Sequence, residues 1–226
     1  MKGCSLVRVF DIILASLTLI ILLPFLAPVI ILLRFTGEGE VFYVQKRVGS
    51  MGRQFGLLKF ATMLKDSPNM SSGDITIQND PRVLPVGRFL RATKINELPQ
   101  LINVAVGDMS LIGPRPLTKK MFLMYSSRTQ SILSQVRPGL SGVGSIVFRD
   151  EQSYLLDDID PMKFYVDAIA PFKGLLEEWY VVNRSVFLYF SLILLTTYVI
   201  FTKDPKIMWR LFSTLPRSKK LSLPYE

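Results

Sequence analysis

The chain of 226 residues has room for one globular domain with some additional elements, and not for two full domains. Its 49% apolar content and mean hydropathy of +0.33 are high for a water-soluble enzyme, so part of the surface is expected to face lipid. A net charge of +9 suits nucleic acid, a phosphorylated substrate or acidic headgroups; the absence of histidine removes His-based bases and metal sites, and the lone Cys4 removes an intramolecular disulfide or a thiolate zinc centre.

Residues 12–33, "IILASLTLIILLPFLAPVIILL", carry no charge and reach about 33 Å as a helix, close to the ~30 Å hydrocarbon thickness. A membrane segment is expected there. A cleaved signal is disfavoured, because the small-residue exit ending at Ala27 puts Phe25 where a small side chain is wanted. Pro24 and Pro28 each lack an N–H and crowd the carbonyl four residues earlier, which predicts a bend. Lys2 and Arg8 precede the run and Arg34 follows it, so charge leaves two arrangements open: a kinked span, or a re-entrant helix that enters and leaves by one face.

From residue 37 the pattern shortens. "VFYVQ" and "QFGLLKF" read as strands of a hairpin turned by "GSMG". Residues 66–82 are turn-rich and read as a surface loop, and "LPVGRFLRATK" as a short helix carrying Arg88 and Arg91. In "TKINELPQLINVAVGDMSLIGPRP", residues 93–116, Asn96 is a favoured N-cap, Pro99 falls in the first turn, and Leu98, Leu101, Ile102 and Ala105 repeat at helical spacing before Gly107. The spacing predicts a helix over roughly 97–106 with Glu97 at its positive end. Taken alone, Glu97 there compensates the helix dipole, worth ~0.3 to 1 kcal/mol. The following "GPRP" fixes φ on both sides of Arg115 and presents its guanidinium with little entropy left to lose, as suits bidentate phosphate binding. A solvated arginine in a proline-rich turn is the plainer alternative. Lys59, Arg88 and Arg91 lie on flanking elements.

Residues 119–135 read as another helix, and "VRPGLSGVGSIVFR", residues 136–149, as a turn followed by a buried strand-like run. Asp150, Glu151, Asp157, Asp158 and Asp160 match no ligand spacing and read as a solvated loop and helix start rather than a metal site. "PMKFYVDAIAPFKGLLEEWYVVNRS" reads as an amphipathic helix with Trp179 and Tyr180 near an interface-like end. Residues 185–202 are uncharged and only just long enough to span. A span would put Lys203, Lys206, Arg210, Arg217, Lys219 and Lys220 outside, against the positive-inside tendency, which favours an interfacial or hairpin-like helix with its basic tail on anionic headgroups. The aromatics sit within apolar runs rather than among the basic residues, so no nucleic-acid partner is expected.

The apolar start "RVFDIILASLTLIILLPFLAPVIILL", then "GEVFYVQKRVGSMGRQFGLLKFATM", "NDPRVLPVGRFLRATKINELPQLINVAVGDMSLIGPRPL" and "RPGLSGVGS" together resemble the bacterial sugar transferase family. These are the monotopic phosphoglycosyl transferases that start membrane glycan assembly on undecaprenyl phosphate. The resemblance covers residues 6 to about 150 and weakens beyond. It implies a mainly helical α/β fold: a re-entrant membrane helix (1–36) broken at Pro24, a small catalytic domain (37–150) on the cytoplasmic face of the bacterial inner membrane, and a helical membrane-associated extension (151–226). It also implies magnesium and a ping-pong reaction, in which a carboxylate attacks the β-phosphate of a UDP-sugar, UMP leaves, and the phosphosugar passes to the lipid phosphate. The site it implies comprises Glu97 and Asn96 at the catalytic dyad, Arg115, Lys59, Arg88, Arg91 and Arg137 on phosphate, and Glu97 and Asp108 as candidate magnesium ligands.

Three positions depart from the family pattern. The dyad "DELPQL" is here "NELPQL", and the amide of Asn96 is a very poor nucleophile toward phosphorus. Ala61 stands where "KFRTM" has arginine, and Leu23 where a small polar residue often precedes the proline. Either Glu97 takes over the attack, or transfer is direct and in-line, or the chain is catalytically silent and acts as a binding or assembly partner.

Overall fold

The apolar N-terminal run folds as one helix, α1 (Lys2–Phe35), in a computed structural model that describes residues 2–67, 70, 80–149 and 161–218. Pro24 and Pro28 lie inside it, and the helix runs through both. One face of α1 packs on the rest of the chain along its length. Ala15 meets Leu57, Leu101 and Val104, and further on Leu26 and Leu33 meet Phe60 and Leu90. The opposite face is bare: Ile20, Phe25 and Phe35 are 71%, 70% and 84% exposed. Two polar residues pin the N-terminal half. The Arg8 guanidinium donates to Val104 O and Ala105 O, and the buried Asp11 carboxylate accepts from Ser110 Oγ, Leu111 N–H and Tyr189 Oη.

The expected hairpin forms from β1 (Phe42–Val48) and β2 (Gln54–Phe60), antiparallel, with Phe42 opposite Phe60 and Val48 opposite Gln54. Its turn needs left-handed backbone, at Met51 (φ 55°) and Gly52 (φ 69°). Residues 68, 69 and 71–79 of the turn-rich segment lie outside the described residues, but its end is no surface loop. There Asp80 and Arg82 form a buried ion pair at 2.6 Å, because the Asp80 carboxylate folds back onto the Arg82 N–H and guanidinium.

Helix α2 (Pro85–Ala92) begins on Pro85, whose missing N–H is harmless there. Its Gly87 lets the helix lie on the chain after β2, since a Cβ would meet Thr62 O at 2.2 Å. Lys94 then takes a left-handed conformation, φ 61°, and opens a separate 3-10 turn, Ile95–Glu97. The helix predicted from 97 starts later, as α3 (Gln100–Val106), with Pro99 at its N-cap position and Gly107 (φ 108°) closing it. Asn96 therefore caps nothing. The Lys94 reversal and Pro99 divide the segment into a turn and a helix.

Strand β3 (Ser110–Ile112) pairs in parallel with β4 (Gly139–Ser141). Between them lie α4 (Lys119–Phe122) and α5 (Ser127–Leu133), two helices where one was expected, because the Ser126 side chain caps a new start by accepting from Thr129 N–H. The strand-like run after β4 is instead α6 (Val143–Val147), whose Val143, Ile146 and Val147 are all buried, so it shows no polar face to reveal its period. The acidic stretch 150–160 lies outside the described residues.

After α7 (Pro161–Phe164) and a π turn (Tyr165–Ile169) comes α8 (Ala170–Asn183). Expected at an interface, α8 is a core helix: α5 and α6 pack on it, Phe172, Leu176 and Tyr180 are buried, and Tyr180 Oη donates to Ile112 O at 3.1 Å. Helix α9 (Val186–Thr202) buries Leu188, Tyr189, Leu192, Leu195 and Val199 while leaving Phe187 and Phe201 bare. It touches α1 through the edge-to-face pair Phe10–Phe190 at 4.9 Å, so the two apolar helices adjoin. The chain ends in α10 (Ile207–Leu211). The largest core cluster runs from Ile112 through Leu176 and Leu192 to Leu215. The architecture is the mainly helical α/β fold expected, with two small sheets among the described residues.

Candidate active site

Two loops stacked on each other build the site. Gly113 N–H donates to Ser141 O at 2.9 Å and Gly139 N–H to Pro114 O at 2.8 Å, so the "GPRP" loop lies flat on "RPGLSG". Only glycine permits this approach, as a Cβ on Gly139 would sit 2.0 Å from Gly113 N. Arg47 on β1 adds a bond to Pro116 O at 3.3 Å. The Arg115 side chain leaves this platform and meets the Ile95–Glu97 turn, where its Nη2 donates to Glu97 Oε1 at 3.0 Å.

Glu97 is the carboxylate among a surplus of cations. Burial works to raise its pKa, but the charges of Arg115, Lys59 and Lys94, with the Arg115 hydrogen bond, outweigh that and hold it at about 2. The cations show the reciprocal strain. Lys59, half-buried on β2, is brought down to about 7 by burial and by the charges of Arg47, Arg115 and Arg91, against the pull of Glu97. Arg91 and Lys94 are also lowered, first by desolvation. Four cations thus bear on Glu97, with Asp80 also acting on Arg91. Such a set binds a polyanion well and a free cation poorly.

Of the residues predicted for phosphate, Lys59, Arg91 and Arg115 come together around Glu97. Arg88 is exposed on α2. Arg137 turns away, its Nε donating to Gly107 O at 2.8 Å at the far end of α3. Asp108 lies at that same end, exposed, accepting from Asn103 Nδ2 at 3.2 Å; the length of α3, about 10 Å, separates it from Glu97. Ala61 is buried beside the hairpin and supplies no charge. Asn96 is buried with Oδ1 lacking any hydrogen-bond partner, an arrangement that costs about 1–3 kcal/mol for a neutral carbonyl. Sequence reasoning missed Lys94, whose role depends on a backbone reversal, and Arg149, which acts on Lys94 from 55 positions away. It also missed Glu177, whose Oε1 lies 3.4 Å from Arg115 N beneath the loop.

The cation-rich cluster around Glu97 thus lies in a chain whose helices α1 and α9 each leave large apolar side chains exposed. Residues 3–203 match the bacterial sugar transferase family, and the chain belongs to it. It is 36% identical over 161 residues to the exopolysaccharide production protein ExoY of Rhizobium meliloti, covering 65% of this chain and 71% of that protein. It is 30% identical over 212 residues to the undecaprenyl-phosphate galactose phosphotransferase of Salmonella typhimurium, covering 87% of this chain and 40% of that one. Identity reaches 38% over 143 residues with the UDP-glucose:undecaprenyl-phosphate glucose-1-phosphate transferase of Caulobacter vibrioides, 62% of this chain and 52% of the relative. The chain thus spans about half or less of the two named phosphotransferases.

Proposed function

We propose that this chain transfers a sugar phosphate from a UDP-sugar to undecaprenyl phosphate, releasing UMP, as the first membrane step of polysaccharide or glycoconjugate assembly. The observation that carries the reading is the convergence of Lys59, Arg91, Lys94 and Arg115 on Glu97, within this family's motifs. A diphosphate supplies the negative charge that the cluster lacks, and the cations stabilise charge gathering on departing UMP. The relatives' names support donor and acceptor.

Glu97 stays ionised at any physiological pH, so it serves as a nucleophile or an orienting charge and not as a proton donor. In the covalent route, a Glu97 oxygen bonds to the β-phosphorus as the bond to UMP breaks. A lipid phosphate oxygen then displaces the glutamate. In the direct route, Glu97 orients the cations while lipid phosphate attacks in line. Magnesium fits only together with the diphosphate: no group of three acidic, His or Cys residues occurs among the described residues, and one carboxylate plus substrate phosphates is a normal set for this ion. Glu97 would hold it, and it would supply Lewis-acid neutralisation of phosphate charge.

A monotopic arrangement on the cytoplasmic face of the inner membrane belongs to the same reading, and the packing of α1 supports its monotopic part. Residues near both ends of the helix, Arg8 and Leu33, contact the rest of the chain, and α1 runs on through Pro24 and Pro28, which suits a helix held along the protein at one membrane face better than an upright span. A silent binding partner is the second reading, favoured by Asn96. The test is UMP release from a panel of UDP-sugars with undecaprenyl phosphate and magnesium. Release by the native chain that is lost in Glu97→Gln supports the transferase. Release only by Asn96→Asp supports the silent reading, and release by neither overturns the first.

A further inference from the structure

Glu177 stands under the active-site loop and no step above uses it. It lies on α8, 3% exposed, with Oε1 facing Arg115 N–H at 3.4 Å. The Gly144 N–H, from the start of α6, bonds to the same carboxyl group. The fit is close on that side, since a Cβ at Gly144 would meet Oε1 at 2.5 Å. Oε2 is buried without a partner. A core that served packing alone would place a leucine here, because an orphaned carboxylate oxygen is costly.

We propose that Glu177 is a positioning residue: from the C-terminal helix it fixes the backbone of Arg115 and the start of α6, so that the Arg115 guanidinium stands where it meets Glu97 and the substrate phosphate. The chain is Glu177 Oε1 to Arg115 N–H, then Arg115 Nη2 to Glu97 Oε1. Two glutamates thus hold one arginine, the outer by its head and the inner by its backbone. The charged groups that bear on Glu177 are Lys173, one turn earlier on α8, and Arg115 itself. Burial raises the carboxyl to about 7, opposed by the Arg115 N–H, by Lys173, by the Arg115 charge and by the Gly144 N–H, so its grip on the two N–H groups tightens as pH rises through neutrality. The significance of Arg115 for transfer rests on the proposed function; the positioning itself does not.

The experiment compares full-length native protein with Glu177→Gln, Glu177→Leu and Gly144→Ala in lipid nanodiscs. Glutamine keeps an acceptor at Oε1, leucine removes it at similar volume, and Gly144→Ala pushes the intact carboxylate aside. Amide hydrogen exchange over residues 113–117 reads positioning whether or not UDP-sugars prove to be substrates. Exchange should rise about tenfold in Glu177→Leu and Gly144→Ala and stay near native in Glu177→Gln, the worth of one such hydrogen bond. Transfer, where the native chain shows it, should follow the same order, with kcat falling and KM moving less in the leucine variant. Equal protection in all four proteins, or an unaltered kcat in a folded Glu177→Leu, overturns the proposal. Loss of native UMP release with the exchange pattern intact counts against the transferase reading alone.

Discussion

Glu97 and Glu177 lie on opposite sides of the Arg115 loop, and their surroundings drive them apart. Glu97 sits at an open, cation-rich edge and is held at about 2; Glu177 sits in an apolar core and is raised to about 7. Both are penalised by burial, so burial alone does not decide ionisation. What decides is how many charges face the group: Arg115, Lys59 and Lys94 act on Glu97, whereas Glu177 has Lys173 and Arg115, with two backbone N–H groups. One arginine serves both, as an ion partner on the outer side and as a backbone donor on the inner.

The largest effect should come from breaking the outer half. Glu97→Gln removes the negative charge and the acceptor for Arg115 together, and transfer should fall about 100- to 1000-fold, in the range seen when one preorganised charge contact is lost. The fold should persist, because the site's cations are partly exposed and can be screened by solvent. UMP release and an unfolding midpoint measured side by side check both statements. An equal loss of stability and activity would mean that Glu97 is a structural ion pair.

The inner half should show itself through pH. The folded pKa of Glu177 is raised above the ordinary 4.5 to about 7. Between those values the unfolded chain has released its proton while the folded chain keeps it, so this group makes native stability fall as pH rises, by about 3 kcal/mol in all, and the loss is complete above 7. Glu177→Gln has no such proton to lose. The variant should match the native chain at about pH 4.5 and exceed it by up to about 3 kcal/mol at pH 8. Denaturant titrations at both pH values test this, and an identical native and variant slope would place the Glu177 carboxyl in water.

Much of the outer half was legible in the sequence, and almost none of the inner half. Alternation and glycines announced the β1–β2 hairpin, and proline on both sides announced Arg115 as a held cation. Local rules failed where a distant contact overrode them. Asn96 has the chemistry of a helix cap, but the Lys94 reversal spends it inside a turn. Asp108 neighbours the site in sequence, yet α3 carries it to its far end, and Arg137, in the loop that underlies Arg115, reaches to that same end to bond Gly107 O. Glu177 is separated from Arg115 by 62 positions, and no spacing rule joins them. The VGSIV helix was misread because complete burial erases periodicity.

A third carboxylate sharpens the contrast because three neutral donors hold it. Asp11 Oδ1 takes Ser110 Oγ at 3.0 Å, Leu111 N at 2.9 Å and Tyr189 Oη at 2.9 Å, which ties α1, β3 and α9 at one point. Tyr189→Phe deletes one donor and leaves the others, so it should cost about 1 kcal/mol of stability with turnover per folded molecule retained. A far larger loss would show that α9, rather than α1, depends on this junction.

The smallest effect concerns Lys59, the cation closest to neutrality. Its amine titrates at about 7 because burial and the charges of Arg47, Arg115 and Arg91 disfavour the ammonium more than Glu97 favours it. Bound diphosphate adds negative charge and must raise that value, so binding takes up a proton wherever the free amine is neutral. UDP-sugar affinity should therefore be flat below about pH 7 and decline by about fivefold toward pH 8.5, the worth of one partly desolvated cation contact. Lys59→Arg keeps its charge over this range and should flatten the decline, since a guanidinium does not deprotonate there. Calorimetric titration of both proteins with one UDP-sugar measures the two slopes. Parallel slopes would put Lys59 outside the phosphate's reach, leaving Arg91, Lys94 and Arg115 to balance Glu97. A flattened slope would place the β2 strand, and with it the hairpin, in direct electrostatic contact with the substrate.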